Sequence, residues 1–525
     1  MVDGTPITFR DLARHVRGGA AMLSSLGVGP GDRVAIFSEN MPQWGVGYFA
    51  VTSLGAVAVP IMTEFPPAQV ANIIRHAECK ALLVSARLRA KMGTALGGTP
   101  VIPVESLAAA AEAPPIDAHA ATVLLPEVAE DALAAIIYTS GTTGLSKGVM
   151  LTHRNIVFDA IATESIVNVR PTDRLLSILT LAHTYECTLG LVAALMRGAS
   201  VFYLDKLPTA SALIPAFRSV RPTIMLSVPL VIEKIFRARV QPEMEKMPLY
   251  RLPVFRRIIA LAAGRRLKAT FGGELRVFAI GGAALAPDVE RFLRAARFPY
   301  AIGYGLTETA PVVAGAPPFR TRPRAAGPAM PGVQVRISDP RPGTGQGEIQ
   351  VKGPNVMPGY YKDPERTAEV FTTDGWFRTG DLGEIDRRGR VHIRGRLKTM
   401  ILGASGENIY PEEIEAVINQ SPFVDESLVY SDGTAVAALV QLKPDAVEAF
   451  TNAVQDANDA GYRVGVARAE RSIGALLERI RTEVNSKVAA FSQLHRIELQ
   501  AEPFEKTPSQ KIKRFLYPKR LGAPE

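Results

Sequence analysis

One stretch of the sequence, YTSGTTGLSKGV at 138–149, combines glycines and hydroxyl side chains with a single lysine, Lys147. Such a segment can bind phosphate, because glycines let backbone N–H groups converge on an anion while hydroxyls and a lysine add donors and charge. It is not the Walker phosphate loop, since Gly148 and not a hydroxyl residue follows the lysine. Composition alone is equally typical of a surface turn. Its position directly after the apolar run DALAAIIYTS favours a phosphate-binding loop at the ligand edge of an α/β sheet.

A second stretch, YGLTETAP at 304–311, places the aromatic ring of Tyr304 shortly before the hydroxyl of Thr307 and the carboxylate of Glu308. An aromatic ring beside glycine can lie flat on a purine base. A hard cation such as Mg²⁺ is held by one or two carboxylates together with substrate phosphates. Taken alone, Glu308 reads as an ordinary loop acid, because acidic residues are mostly exposed.

Three later stretches carry charged groups that suit a nucleotide. In GWFRTGDLGEID at 375–386, Asp381 could accept hydrogen bonds from both hydroxyls of a ribose, or could bond its own turn. In RGRLKTMILGASGENIYPEEIE at 394–415, Arg396 can reach ribose or phosphate. The basic segment EKTPSQKIKRFLYP at 505–518 would, by itself, be read as a solvated chain end.

The elements predicted around these stretches are those of a large α/β protein. The chain has 525 residues, of which 47% are apolar and 21% charged, so it can bury several cores. Up to about residue 320, helix-like and strand-like segments alternate, which favours parallel sheets covered by helices. Short strands punctuated by Gly and Pro follow at about 320–397, and an α+β pattern occupies 398–525. We therefore expect a large N-terminal domain over 1–397, containing a β-rich subdomain, and a small C-terminal domain from Lys398 onward.

Composition excludes some classes of protein and leaves others open. The two cysteines, Cys79 and Cys187, exclude a disulfide framework and a cysteine zinc site, and they indicate a reducing compartment. The N-terminus lacks a signal-peptide pattern and no window is apolar enough for a transmembrane helix, so a cytoplasmic protein is expected. The net charge of +9 suits anionic small molecules or an anionic membrane as well as nucleic acid. The basic residues do not read as one amphipathic helix, which disfavours a protein whose only role is at a membrane surface.

Taken together, these stretches resemble the motifs of the adenylate-forming superfamily, which contains AMP-forming acyl-CoA synthetases, luciferases and the adenylation domains of peptide synthetases. The resemblance runs from about residue 5 to about residue 517, with its motifs in the family's order. YTSGTTGLSKG resembles the phosphate loop, YGLTET the adenine and magnesium motif, and TGD the ribose motif. GRLKTMI resembles the hinge, and TPSQKIKR resembles the motif of the catalytic lysine.

The resemblance implies ATP and Mg²⁺ as cofactors and CoA as a co-substrate. A carboxylate would attack the α-phosphorus of ATP to give acyl-AMP and pyrophosphate, and the CoA thiol would then displace AMP. Glu308 and Thr139 would ligate Mg²⁺, and Thr307 would contact the α-phosphate. Asp381 and Arg396 would hold the ribose. The residues implied around the β- and γ-phosphates and the adenine are Thr139, Ser140, Gly141, Thr142, Thr143, Gly144, Lys147, Gly282, Ala283, Tyr304 and Gly305.

The resemblance also implies a catalytic lysine and a domain movement. Lys511 would bridge the attacking carboxylate and the α-phosphate, with Lys513 as its rival in the same motif. For the second half-reaction the small domain would rotate about Lys398, withdrawing Lys511 and bringing the GASGENIY loop with Gly406 to the CoA channel. His183, in the LAHTYE stretch, matches a position near the acyl and thiol sites, where shaping the pocket wall fits at least as well as proton transfer.

Within the superfamily, LAHTYECTLG at 181–190 is similar to long- and medium-chain fatty acyl-CoA synthetases. RVFAIGGAA lacks the acid that amino-acid-activating members carry before the adenine motif, so an apolar carboxylic acid is the expected substrate. The rival enzyme is a fatty acyl-AMP ligase that transfers the acyl group to a carrier protein, although no insertion of the kind such enzymes carry is evident. A non-enzymatic acyl or nucleotide sensor fits less well, because the charged groups of every motif are intact. No nucleic-acid partner is expected, while a homodimer and peripheral association with the inner membrane surface stay open.

Overall fold

The computed structural model describes residues 4, 6–92, 98–109, 125–139, 147–204, 209–247, 250, 252–402, 408–431, 435–446, 462–507 and 511–517. Within these ranges the chain forms two helix-covered α/β sheets, then an antiparallel sheet, then a small α+β unit. The predicted fold class is therefore confirmed.

The first sheet contains six strands, which are β1 Arg33–Phe37, β2 Val57–Pro60, β3 Cys79–Val84, β4 Val101–Pro103, β5 Leu133–Thr139 and β6 Lys147–Thr152. Their order is β4-β3-β1-β2-β5-β6, and every pair is parallel except β5 with β6. The strands are apolar runs buried on both faces, because helices cover a parallel sheet on both sides. The helices here are α1 Phe9–Ser25, α2 Pro42–Ser53, α3 Pro67–His76, α4 Ala86–Met92 and α5 Ser106–Ala109.

The second sheet contains β7 Arg174–Ser177, β8 Ser200–Tyr203, β9 Ile224–Ser227, β10 Val277–Ile280, β11 Tyr300–Gly305 and β12 Val312–Ala316. Their order is β12-β11-β10-β9-β7-β8, with only β11 and β12 antiparallel. Its helices are α6 His153–Ala162, α7 Ala193–Met196, α8 Ala210–Val220, α9 Pro229–Ile235, α10 Gln241–Glu245, α11 Pro253–Thr270 and α12 Pro287–Ala295, with π-helical segments at Tyr185–Val192 and Phe236–Val240. In both sheets the antiparallel edge pair thus lies at the site of a predicted motif.

The third sheet contains β13 Gly327–Pro328, β14 Gln334–Ser338, β15 Gly347–Lys352, β16 Phe377–Ile385 and β17 Arg390–Arg396, and helix α13 Pro364–Val370 lies beside it. Its order is β13-β17-β16-β15-β14 and all its pairs are antiparallel. The pairing of β16 with β17 places Asp381 directly opposite Arg396. Two predicted ribose-binding residues therefore meet across neighbouring strands.

The C-terminal unit has a core of its own. Its strands are β18 Ile401–Leu402, β19 Asn408–Ile409, β20 Val424–Ser431, β21 Val436–Leu442 and β22 Arg496–Leu499, and its helices are α14 Pro411–Ile418 and α15 Tyr462–Asn485. Buried residues of both helices, including Ile418 and Ile480, pack against the sheet formed by β20, β21 and β22. Among all the described helices, none is both long enough and apolar enough to cross a bilayer.

Candidate active site

The ends of β5 and β6 hold the described residues of the predicted phosphate loop. Thr139 lies opposite Lys147 in the antiparallel register. The Lys147 ammonium lies 4.8 Å from the centroid of the Tyr360 ring. Burial lowers the pKa of Lys147, and the neighbouring Glu308 carboxylate opposes that shift. The other predicted loop residues, Ser140, Gly141, Thr142, Thr143 and Gly144, lie outside the described residues.

Glu308 is positioned by the segment that carries Tyr360. It follows β11 in the 3₁₀ turn Thr307–Thr309. Its backbone oxygen accepts a hydrogen bond from the Met357 N–H at 2.9 Å, and its Oε1 accepts one from the Tyr360 hydroxyl at 2.9 Å. Tyr360 therefore contacts both the predicted phosphate-binding lysine and the predicted metal ligand. The sequence analysis missed Tyr360, because it lies in no recognisable motif.

Helix α6 is hydrogen-bonded to the segment before Tyr360 and to strand β12, which follows Glu308. Its first turn is closed by a capping box, in which Thr152 Oγ1 accepts from the Asn155 N–H and Asn155 Oδ1 accepts from the Thr152 N–H. The Asn155 amide then donates to the backbone oxygens of Pro354 and Val356, at 2.7 and 3.0 Å. One turn later, Asp159 Oδ1 accepts from the Val312 N–H at 3.1 Å. The helix thus fixes the segment before Tyr360 and the strand after Glu308 relative to each other.

Asp381 is almost completely buried, with 4% of its surface exposed, and both of its oxygens are bonded. Oδ2 accepts from the Tyr304 hydroxyl at 2.8 Å, and Oδ1 lies 3.1 Å from Arg396 Nε. Burial raises the pKa of Asp381, while Arg396 and the Tyr304 hydroxyl oppose the rise. The predicted adenine-binding tyrosine and ribose-binding acid are therefore joined in a single hydrogen-bonded group.

Lys511 reaches the same cleft from the C-terminal unit. Its backbone bonds Thr507 at both ends, through Thr507 N–H to Lys511 O at 2.7 Å and Lys511 N–H to Thr507 Oγ1 at 3.2 Å. Residue 511 is exposed. Nearby protein atoms nevertheless partly desolvate its ammonium group, which lowers the pKa of Lys511. Arg396 lowers it further, while Asp381 and Glu308 raise it. Residues from distant parts of the chain thus act electrostatically on one ammonium group.

Lys513, the rival lysine, points elsewhere. Its Nζ lies 3.4 Å from Glu505 Oε2, and its N–H donates to the Glu505 backbone oxygen at 2.8 Å. Nearby, Arg514 is paired with Glu415 of helix α14. Lys511 therefore lies within electrostatic range of Glu308 and Asp381, whereas the ammonium group of Lys513 lies beside Glu505.

His183 lies within electrostatic range of Lys511. Its Nδ1 accepts from the Tyr185 N–H at 3.2 Å, so a neutral ring carries its proton on Nε2. Burial, reinforced by the charge of Lys511, lowers the pKa of His183 to about 4. The Tyr185 hydroxyl donates to the Ala279 backbone oxygen at 3.1 Å, and a side chain at Gly281 would meet the Tyr185 ring at 3.2 Å. His183 and Tyr185 thus border the loop after β10.

The remaining predicted positions differ in their surroundings. Gly282, with a φ of 87°, and Ala283 are exposed in the loop after β10. A side chain on Gly305 would lie 1.7 Å from the Pro311 backbone oxygen, so only glycine fits there. Lys398 is exposed just after β17, and its charge contributes to the lowered pKa of Lys147. Gly406 lies outside the described residues.

The site as a whole combines five cationic side chains with three carboxylates, those of Glu308, Asp381 and Asp363. Lys147 is influenced by Arg366 and Lys398 as well as by Glu308, while Lys511 is influenced by Arg396, Asp381 and Glu308. An excess of cations around a solvent-accessible cleft suits a polyanionic ligand. No group of three or more metal-ligating side chains occurs in the described ranges, so any metal bound here would also need ligand oxygens.

Known proteins share this arrangement of elements. The sequence model of the family described as AMP-binding enzyme matches residues 1–361. The chain belongs to this family. A solved structure of MatB from Rhodopseudomonas palustris with bound ATP superposes with a TM-score of 0.77 at 27% identity, covering 98% of this chain and 94% of that one.

Two curated relatives show the range of named activities. The long-chain-fatty-acid–CoA ligase FadD15 of Mycobacterium tuberculosis is 29% identical, with 98% of this chain and 91% of the relative covered. The 3-[(3aS,4S,7aS)-7a-methyl-1,5-dioxo-octahydro-1H-inden-4-yl]propanoyl:CoA ligase of Rhodococcus jostii is 33% identical, with 81% of this chain and 80% of the relative covered. Both are CoA ligases, and their names specify different acids.

Proposed function

We propose that this AMP-forming acid–thiol ligase activates a fatty acid with ATP and transfers the acyl group to CoA. One observation carries the proposal: the charges of Glu308, Asp381 and Arg396 act on the ammonium group of Lys511, an exposed residue of the C-terminal unit. Attack of a carboxylate on a triphosphate brings anion to polyanion, so the site must neutralise charge and hold the reacting atoms in line. The cations around this cleft suit that requirement.

ATP fits the groups that the structure places here. The Asp381 carboxylate, already oriented by Tyr304 and Arg396, would accept the ribose hydroxyls. Lys147 and Thr139, at the two ends of the glycine-rich loop, would bind the β- and γ-phosphates. Thr307 would contact the α-phosphate, and the adenine would lie beside Tyr304, Gly305, Gly282 and Ala283.

Mg²⁺ also fits, through Glu308. The Tyr360 hydroxyl occupies Oε1, and Oε2 has no hydrogen-bonding partner among the residues that the structure describes. One carboxylate oxygen together with substrate phosphates and water is the usual environment of Mg²⁺ in such sites. Bound there with help from the Thr139 hydroxyl, the ion would supply charge neutralisation on the phosphates.

In the first half-reaction, Lys511 would bind the attacking carboxylate and an α-phosphate oxygen together. The carboxylate oxygen forms a bond to the α-phosphorus while the bond to the pyrophosphate oxygen breaks, giving acyl-AMP. A compact ammonium on a long stem suits this bridging position. His183 would present its Nε2–H to the acyl end of the cleft, because its other ring nitrogen is occupied by Tyr185.

In the second half-reaction, the CoA thiolate would attack the acyl carbonyl and AMP would leave. The proposed domains, 1–397 and 398–525, would rotate about Lys398, removing Lys511 from the cleft. The segment containing Gly406 would then line the CoA channel. The short contact between Lys511 and its own unit, through Thr507, is consistent with a lysine that travels with that unit.

A fatty acid is the proposed substrate for two reasons. The relative FadD15, which matches nearly the whole chain, is named as a long-chain-fatty-acid–CoA ligase. In addition, strand β10 is entirely buried and apolar, so it offers no carboxylate to a substrate amine. Transfer to a carrier protein is the alternative second step. A homodimer stays a prediction.

The test uses the purified protein with ATP, Mg²⁺, CoA and a panel of carboxylic acids: a ladder of straight-chain acids, together with polar and aromatic acids. We expect AMP, pyrophosphate and thioester, with rates that rise toward apolar acids. Absence of AMP with every acid would contradict the enzyme assignment. Acyl-AMP without thioester would favour a carrier-protein acceptor, and activity confined to polar or aromatic acids would contradict the fatty-acid substrate.

A further inference from the structure

Most of the chain's net charge lies in one segment outside the active site. Residues 229–270 contain ten Lys and Arg residues against three Glu, and we name the exposed side chains among the described residues of this segment the basic surface. The segment's net charge of +7 compares with +9 for all 525 residues. A local concentration of positive charge creates a positive potential at that part of the surface, which attracts anionic partners.

The basic surface also exposes large apolar side chains. On α11, Phe255 is 38% and Ile258 is 58% exposed, and the preceding Leu252 is 50% exposed. The opposite face of α11 is closely packed: a side chain at Gly264 would meet the Ala296 backbone oxygen at 2.5 Å. The helix is therefore attached through one face while its other face is free to bind.

Arginines flank the exposed apolar residues without protein partners. Arg257, Arg265 and Arg266 are all exposed, and none is paired with a carboxylate within the described ranges. Apolar side chains beside unpaired cations on one helix are typical of helices that lie in the interface of an anionic membrane. A nucleic-acid surface would not need Ile258 and Phe255 exposed.

The basic surface begins at the edge of the cleft. Helix α9 starts one residue after Val228, whose Cγ1 lies 3.7 Å from where a side chain on Gly282 would begin.

We propose that the basic surface docks on a bilayer containing anionic phospholipid. Phe255 and Ile258 enter the headgroup region, and Arg257, Arg265 and Arg266 contact lipid phosphates. Docking does not depend on the enzyme's substrate, so the two proposals can fail separately.

The experiment is co-sedimentation of the full chain with vesicles of phosphatidylcholine alone or mixed with phosphatidylglycerol. We expect binding to the mixed vesicles only, weakening with salt. Arg257→Gln with Arg266→Gln should weaken it by about fivefold for each arginine, and Phe255→Ser with Ile258→Ser should weaken it further. The matched controls are Arg387→Gln with Arg388→Gln, and Phe491→Ser, all exposed positions outside the basic surface.

Equal binding to both vesicle types, or equal losses in the control variants, would overturn the proposal. So would a salt-sensitive affinity for duplex DNA that exceeds the affinity for vesicles, or self-association that the basic-surface variants abolish. Turnover of a short, water-soluble acid should be the same in all variants, which confirms that they fold. Vesicle binding by a protein inactive on every acid would leave docking intact and contradict the proposed function.

A second, independent observation concerns two buried oxygens beside Val312. Asp159 Oδ2 and Asn355 Oδ1 are both buried, and neither has a hydrogen-bond donor among the residues that the structure describes. Asp159 Oδ1 accepts from the Val312 N–H, and Asn355 Nδ2 donates to the Val312 backbone oxygen at 2.8 Å and to that of Thr309 at 3.1 Å. The N–H and C=O of a strand residue point to the same side, so both side chains approach the same side of Val312.

A buried acceptor without a donor is costly, and here two such oxygens belong to side chains that bond the same residue, Val312. We infer that Asp159 is a neutral carboxylic acid whose Oδ2–H donates to Asn355 Oδ1. Burial also raises the pKa of Asp159 well above its ordinary value. Because Asn355 bonds Thr309, the neighbour of Glu308, Asp159 becomes a positioning residue for the magnesium-binding turn.

Asp159→Asn tests this inference, because its amide can donate in place of the acid O–H. We expect this variant to keep its melting temperature and its KM for MgATP, whereas Asp159→Leu should raise that KM. The infrared band of a protonated carboxyl group should disappear in Asp159→Asn. Equal damage in both variants, or no loss of that band, would show that Asp159 is ionised and overturn the inference. The infrared comparison decides even if Asp159→Leu fails to fold.

Discussion

Glu308 and Lys511 face the same cleft, yet the chain holds them in different ways. Glu308 has its side chain bonded by Tyr360 and its backbone bonded by Met357, on a turn that α6 braces from below. Among the described residues, Lys511 itself is hydrogen-bonded through its backbone to Thr507, and it is exposed to solvent. A carboxylate held in this way suits a role at every stage of the catalytic cycle in which phosphates are bound. A lightly attached group suits a task confined to one half-reaction.

Removing Lys511 should have the largest effect. Lys511→Ala should slow acyl-AMP formation by about 10³-fold, because a charged donor at the reacting phosphate is lost. Thioester formation from supplied acyl-AMP should be nearly unchanged. Pyrophosphate release measures the first step and thioester appearance the second. Lys513→Ala is the matched control and should change either rate by less than about fivefold, since its partner Glu505 is exposed. Equal loss of both steps in Lys511→Ala would contradict the division of roles.

Neutralising Glu308 should come next. Glu308→Gln keeps the acceptor for the Tyr360 hydroxyl but removes the charge that Mg²⁺ needs, so acyl-AMP formation should fall by about 10²-fold. The Mg²⁺ concentration required for half-maximal rate should rise. Titration of the rate with Mg²⁺ checks this, with Glu502→Gln as an exposed control. An unchanged Mg²⁺ requirement would remove Glu308 from the metal site.

Removing the hydrogen bond from the Tyr360 hydroxyl to Glu308 should have a smaller effect. Tyr360→Phe deletes one hydrogen bond to Glu308, which should lower kcat/KM for MgATP by about tenfold. The neighbouring Tyr361→Phe provides the control, because the Tyr361 ring contacts His76 and not Glu308. Steady-state kinetics at varied MgATP measures both. If the two variants behave alike, Tyr360 does not position Glu308.

The smallest effect concerns pH and His183. Its folded-state pKa of about 4 lies below the ordinary value of 6.5 because of burial. The unfolded chain therefore binds a proton first as pH falls, so this histidine reduces stability between pH 6.5 and 4. His183→Asn should lose less melting temperature than the unaltered chain on going from about pH 7 to about pH 5. Identical losses would show that His183 protonates with little penalty.

Much of the fold could be predicted because it depends on local patterns. Alternating apolar segments indicated the parallel sheets, and Gly and Pro between short strands indicated the antiparallel sheet that holds Asp381 opposite Arg396. The partners of the site residues could not be predicted. Tyr360 bonds a carboxylate 52 positions away, and Asp159 bonds a backbone group 153 positions away. No periodic pattern records such pairs, since each results from the packing of separate elements.

The basic surface is a second feature that the sequence alone could not predict. Its charged residues are evident in the sequence, but their spacing did not predict a single amphipathic helix. Only the packed structure shows which face of α11 is sealed at Gly264 and which leaves Ile258 exposed.

By itself the sequence determined which groups are present: the glycine-rich loop, the carboxylates Glu308 and Asp381, and the lysines near the C-terminus. The tertiary structure decided which of them act on one another. It placed Lys511 within electrostatic range of Glu308 and Asp381, and it placed Tyr360 between Lys147 and Glu308. The physical reason is that hydrogen bonds and unscreened charges act over a few ångströms, whereas only folding determines which distant segments come that close.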